Sequence, residues 1–125
     1  KIRDHADEIV RTEELYVEDA EVIVVSYGCA ARTTREVVEL GRERGLKVGM
    51  LRLITLWPFA ERRIRELARS GKVKAFVVAE INSGQIVYEV ERCAEGLVKT
   101  VLAGFMGGRI FSPEELLPIV EEALD

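Results

Sequence analysis

The run Val22-Ile23-Val24-Val25 restricts the fold more than any other stretch of this chain. Four β-branched or apolar side chains in succession resist the helical rotamer and favour a pleated strand. No polar residue alternates with them, so the strand is expected to be buried on both faces. That is the condition of a parallel strand covered by helices. The run ends at Ser26-Tyr27-Gly28, where a turn must begin.

The pattern then recurs. The spacing predicts a helix over 33–44, with Val37, Val38 and Leu40 as its apolar stripe, Gly41 allowing close approach and Gly45 ending it. Thr33 with Glu36 matches a capping box, so this helix begins there or a turn earlier. Residues 48–53 read as a strand. Pro58 suits the first turn of a helix that turns Ile64, Leu67 and Ala68 inward and stops at Gly71. A strand over 75–79 follows, then a helix with Ile86, Val87, Val90, Cys93 and Ala94 on one face, ending at Gly96. A last strand is expected over 97–103. Ser112-Pro113-Glu114-Glu115 is the sharpest helix start in the chain, with Leu116, Leu117, Val120, Ala123 and Leu124 behind it. Four strand-then-helix cycles imply right-handed crossovers and a three-layer α/β/α domain.

Ahead of these cycles, residues 14–17 read as a brief strand. Residues 1–12 read as a leader helix or helical linker, with Ile2, Ala6, Ile9 and Val10 at helical spacing. The domain proper is then 13–125. The chain opens on Lys1 without an initiator Met, as a domain cut from a longer polypeptide would, and equally a processed or partly ordered chain.

Composition narrows the function classes. With 18 basic and 22 acidic residues interspersed and a net charge of −4, no basic stripe marks the chain for nucleic acid or an anionic membrane. Cys29 and Cys93 form no CxxC or metal-ligand cluster, so a reduced, cytoplasmic setting is the default. Asn82 and Gln85 are the only side-chain amides, against many Glu and Arg. That depletion is the habit of hyperthermophile proteins.

In a wound sheet, ligands bind beyond the carboxyl ends of the strands, which directs attention to four loops. The first, around residues 26–32, has one glycine and no Walker lysine, short of a phosphate-binding fingerprint. Cys29 and Arg35 have the spacing of thiol phosphatases, but Ala30-Ala31-Arg32-Thr33-Thr34 between them has no glycine and suits a first helical turn. A phosphate- or nucleotide-binding module remains the alternative reading. His5 is the single histidine, in the leader, so no histidine triad or metal site can be assembled. Glu80 ends a buried strand near Asn82 and Gln85; it suits a general base, or a residue that caps amides or pairs across an interface. Gly107-Gly108-Arg109 suits an anion or, more simply, a turn. Trp57-Pro58-Phe59 puts two large aromatics in a loop, to be covered by the domain itself or by a neighbour.

Taken in order, residues 15–22, Ser26-Tyr27-Gly28, Leu51-Arg52-Leu53 leading into Leu56-Trp57-Pro58-Phe59, and Glu80-Ile81-Asn82-Ser83-Gly84-Gln85 resemble a known family. They are similar to the C-terminal domain of the α subunit of 2-oxoacid:ferredoxin oxidoreductases, most of all the 2-oxoglutarate type. Ser83 and Ala60 depart from the pattern, where a larger apolar residue and a second proline are expected. The resemblance implies a transketolase C-terminal-like fold with five strands in the order 1-3-2-4-5, the first antiparallel. Residues 14–17 would be the edge and 22–26 the centre, between 48–53 and 75–80.

The resemblance also implies a parent enzyme that decarboxylates a 2-oxoacid with coenzyme A and reduces ferredoxin through thiamine diphosphate, Mg²⁺ and an iron–sulfur cluster. This chain has no Gly-Asp pair to open a thiamine diphosphate motif, and two cysteines cannot ligate a four-cysteine cluster. The preceding α-subunit domain and the β subunit would hold the cofactors. Tyr27, Trp57, Pro58, Phe59, Glu80, Asn82, Gly84 and Gln85 would then form an interface with those partners, with no catalytic, cofactor or metal residue here.

Overall fold

The computed structural model describes residues 12–27, 30–54, 60–80, 85–104 and 112–124. Five strands, β1 (Thr12–Leu15), β2 (Val22–Tyr27), β3 (Val48–Leu53), β4 (Ala75–Glu80) and β5 (Lys99–Gly104), alternate after β2 with four helices. These are α1 (Ala30–Glu43), α2 (Glu61–Arg69), α3 (Gln85–Ala94) and α4 (Pro113–Leu124). The sheet order is β1-β3-β2-β4-β5. β1 runs antiparallel to β3 and all other pairs are parallel, as the resemblance implies.

The β-branched run lies at the centre for the reason its composition suggests. Val24 sits between Met50 of β3 and Val77 of β4, and all three are fully buried. Alternation along the strands divides the core in two. Ile23, Val25, Phe76 and Val78 join Ile64, Leu67, Val90 and Cys93 under α2 and α3. Val22, Val24, Met50 and Val77 join Val37, Val38, Leu116 and Val120 under α1 and α4.

Helix ends follow local chemistry. The Glu115 carboxylate accepts hydrogen bonds from both the Ser112 backbone N–H (3.3 Å) and the Ser112 hydroxyl (3.0 Å), closing α4 at the expected start. At the end of α1, Gly45 N–H donates to Arg42 O and Leu46 N–H to Gly41 O. This is a Schellman ending that requires the left-handed φ of 81° at Gly45. Pro118 lies inside α4, where its ring removes one main-chain donor from the ladder.

Four expectations need correction. The edge strand spans 12–15, not 14–17, because Tyr16 adopts φ 56° and cannot continue it; Thr12 thus belongs to the sheet, while 1–11 lie outside the described residues. Helix α1 takes the earlier of its two expected starts, a turn before the Thr33–Glu36 pair, and Thr33 and Thr34 are buried inside it. Leu40 is 37% exposed, since the stripe runs through Thr34, Val37, Val38 and Gly41. Strand β5 begins at Lys99 because Glu95 and Gly96 both take positive φ and leave Leu97 in the turn, 59% exposed. The helix after Pro58 begins at Glu61, with Ile64 N–H bonded to Ala60 O.

Candidate functional site at the carboxyl edge of the sheet

The chain leaves β2 through α1 towards β3, and leaves β4 through α3 towards β5 on the other side. The topological switch therefore falls between β2 and β4, where connections diverge and a crevice opens. Ser26 pairs with Ala79 in register. Tyr27 and Glu80, one residue further on, end adjacent strands side by side, and Gln85 is the first residue of α3, the helix after β4. The fold thus brings together two of the eight residues expected at an interface, Tyr27 and Glu80. Trp57, Pro58, Phe59, Asn82 and Gly84 lie outside the described residues, as do Cys29 and 107–109.

Tyr27 is half-buried against the core under α2 and α3. Ile54, just past the end of β3, is 54% exposed. By alternation Ser26 faces the α1 and α4 side with Val22 and Val24. Its hydroxyl is fully buried and has no hydrogen-bond partner among the described residues. Composition pointed to the amides and aromatics here; Ser26 inside a strand carried no signal beyond its place before Tyr27-Gly28.

The described residues do not suit a metal or cluster. No three His, Cys, Asp or Glu side chains among them converge on one point. Cys93 is buried in the seam between α2 and α3, and that burial raises its thiol above the ordinary 9.0. A thiol so placed is a poor iron ligand, because the thiolate is what binds. Arg35, the arginine of the phosphatase alternative, donates from Nη2 to Glu13 Oε1 at 2.7 Å. No helix among the described residues is long and apolar enough to cross a membrane.

The sequence model of pyruvate:ferredoxin oxidoreductase core domain II matches residues 20–116. The chain belongs to that family. Core domain II here is 38% identical over 117 residues to 2-oxoglutarate synthase subunit KorA of Methanothermobacter marburgensis, covering 94% of this chain and 31% of that protein. It is 42% identical over 113 residues to ketoisovalerate oxidoreductase subunit VorB of Methanothermobacter thermautotrophicus, covering 90% and 31%. The chain thus spans about a third of the length of the curated relatives it matches. Among solved structures, the fold superposes with a TM-score of 0.81 at 24% identity on 2-oxoglutarate:ferredoxin oxidoreductase from Magnetococcus marinus, covering 98% of this chain and 21% of that one. An inactive split-gene transketolase tetramer gives 0.73 at 20% identity, covering 91% and 41%. Both show the same fold for core domain II.

Proposed function

We propose that the chain is the C-terminal assembly and support domain of the α subunit of a 2-oxoacid:ferredoxin oxidoreductase of the 2-oxoglutarate type, and that it holds no catalytic group itself. One observation carries this reading: nearly the whole chain aligns with about a third of KorA. In this reading residues 1–11 link the domain, which begins with Thr12 of β1, to a preceding α-subunit domain. That domain and the β subunit hold thiamine diphosphate, Mg²⁺ and the iron–sulfur cluster. The complete cytoplasmic enzyme decarboxylates its 2-oxoacid with coenzyme A and reduces ferredoxin.

The switch-point edge then serves as a docking surface, built on Tyr27, Trp57, Pro58, Phe59, Glu80, Asn82, Gly84 and Gln85. An aromatic set beside fixed amides is what the centre of a subunit interface contains. The supporting geometry is the adjacency of Tyr27 and Glu80 at the carboxyl edge of the sheet, with Gln85 opening the helix that follows β4. The test replaces Asn82 and Gln85 by Ala in the complete α subunit, co-produced with its β subunit. The expected result is weaker assembly by sedimentation, or slower 2-oxoglutarate-dependent reduction of ferredoxin, with the melting temperature of the domain unchanged. Parental assembly and turnover would remove the docking role.

A further inference from the structure

We propose that β1 is an electrostatic strap, a separately opening unit held to the sheet by arginines and released without dismantling the four parallel strands. Where β2 is buried along nearly its whole length, every residue of β1 is partly or fully exposed. Its one ladder partner is β3, through Thr12–Leu53, Glu13–Arg52, Glu14–Leu51 and Leu15–Met50. Leu15 alone of the strand packs against the core under α1 and α4, so apolar burial holds it at one residue in four.

Charge takes that place, from both faces of the sheet. From α1, Arg35 pairs with Glu13; from β3, Arg52 approaches the same carboxylate at 3.5 Å. From α2, Arg63 grips Glu14 with two nitrogens, Nη2 to Oε1 at 2.9 Å and Nε to Oε2. Behind the strand, Arg42 makes four hydrogen bonds. Its Nε donates to Val48 O (2.9 Å), Nη1 to Asp19 Oδ2 (3.1 Å), and Nη2 to both Asp19 Oδ1 (2.7 Å) and Tyr16 O (2.8 Å). The guanidinium also lies 5.2 Å from the centre of the Tyr16 ring, within cation–π range.

The hinge is in place as well. Val17 and Ala20 are buried in the core under α2 and α3 and anchor the connection to β2. Tyr16, between strap and anchor, holds a left-handed φ of 56°, a conformation with backbone strain that opening would relieve. Ion pairs between exposed groups weaken with salt, the screening length falling from about 10 Å at 0.1 M to about 3 Å at 1 M. Salt should therefore open the strap first.

Hydrogen–deuterium exchange read by mass spectrometry on the complete purified protein tests this. On going from 0.05 to 1 M NaCl (concentrations chosen for about a threefold or greater change in screening length), exchange over 12–16 should quicken about tenfold or more, a fold-change of the size expected for local opening. Exchange over β4 should keep its rate. Arg42→Gln with Arg63→Gln should give the same selective loss at low salt, and the charge swap Glu14→Arg with Arg63→Glu should restore the protection that Arg63→Glu alone loses. Exchange that rises in β1 and β4 together would overturn the proposal, and so would a β1 rate indifferent to salt.

Discussion

Gly41 lies so close to Val48 that a β-carbon added to it would sit 2.7 Å from Val48 Cγ1. The last turn of α1 rests there directly on the first residue of β3, and Val48 is fully buried. An alanine at 41 would gain about 1 kcal/mol of helix propensity. It would also force a stiff β-branched side chain off its rotamer inside a packed core. We expect Gly41→Ala to destabilise by about 1–2 kcal/mol net in urea unfolding. Pairing it with Val48→Ala should recover about 1 kcal/mol or more as a coupling free energy. Additive effects would mean that the contact is not what requires glycine.

Gly49 meets a harder neighbour. A β-carbon there would lie 2.8 Å from Tyr16 O, 3.0 Å from Leu15 O and 3.1 Å from Ala20 Cβ. Backbone cannot swing aside as a side-chain tip can. Gly49→Ala should cost about 2–3 kcal/mol, more than Gly41→Ala, with the added loss concentrated in β1 protection.

Acid should act through Asp19. Hydrogen bonds from Arg42 hold its carboxyl below the ordinary 3.8. A group with a depressed native pKa stabilises fully above its unfolded value and loses that contribution as pH falls through the native value. Asp19→Asn should therefore be less stable than wild type at pH 7, and the gap should close below about pH 3.8. A gap independent of pH would show that the carboxylate charge is not what matters.

Cys93 should be inert in the folded protein. It is fully buried and its thiol is pushed up by that burial, so almost no thiolate is available to an alkylating reagent. In a Cys29→Ser background, native iodoacetamide labelling should be slower than labelling in guanidinium by about the opening equilibrium, on the order of 10³-fold or more. Comparable rates would place Cys93 in a locally open seam.

Thermal behaviour follows from the charge pattern. Arg65 and Arg69 both reach Glu95, and Arg92 and Arg65 both reach Glu61, linking α2 to α3 in one network of the kind that strengthens with temperature. Calorimetry should place the midpoint well above about 65 °C, and less so after Glu95→Ala. A midpoint inside the ordinary mesophile range would remove the thermophile reading and leave the fold as it is.

What was legible in the residues alone was what depends on near neighbours. The central strands could be read because Val22 to Val25 are β-branched or apolar in succession. The start of α4 could be read because Ser112 and Glu115 bond across three residues. The inward face of α3 followed from the period of Ile86, Val87, Val90, Cys93 and Ala94, all of them buried. The resemblance to a family then ordered the strands, which no local signal could do.

Tertiary structure decided the rest. Strand β1 ends at Leu15 because Tyr16 turns back over Gly49, more than thirty positions along the chain. Its clamps join Glu14 to Arg63, 49 residues apart, and Asp19 to Arg42, 23 apart. Leu40 faced solvent although its spacing fitted the stripe, since only the packing of α1 on the sheet and α4 chooses which edge of an amphipathic face is covered. Tyr27 and Glu80 became neighbours for the same reason: a crossover that carries β4 past β3 to the far side of β2 sets two distant strand ends side by side. Propensity and capping act within a few bonds, whereas chain crossovers set which distant groups meet.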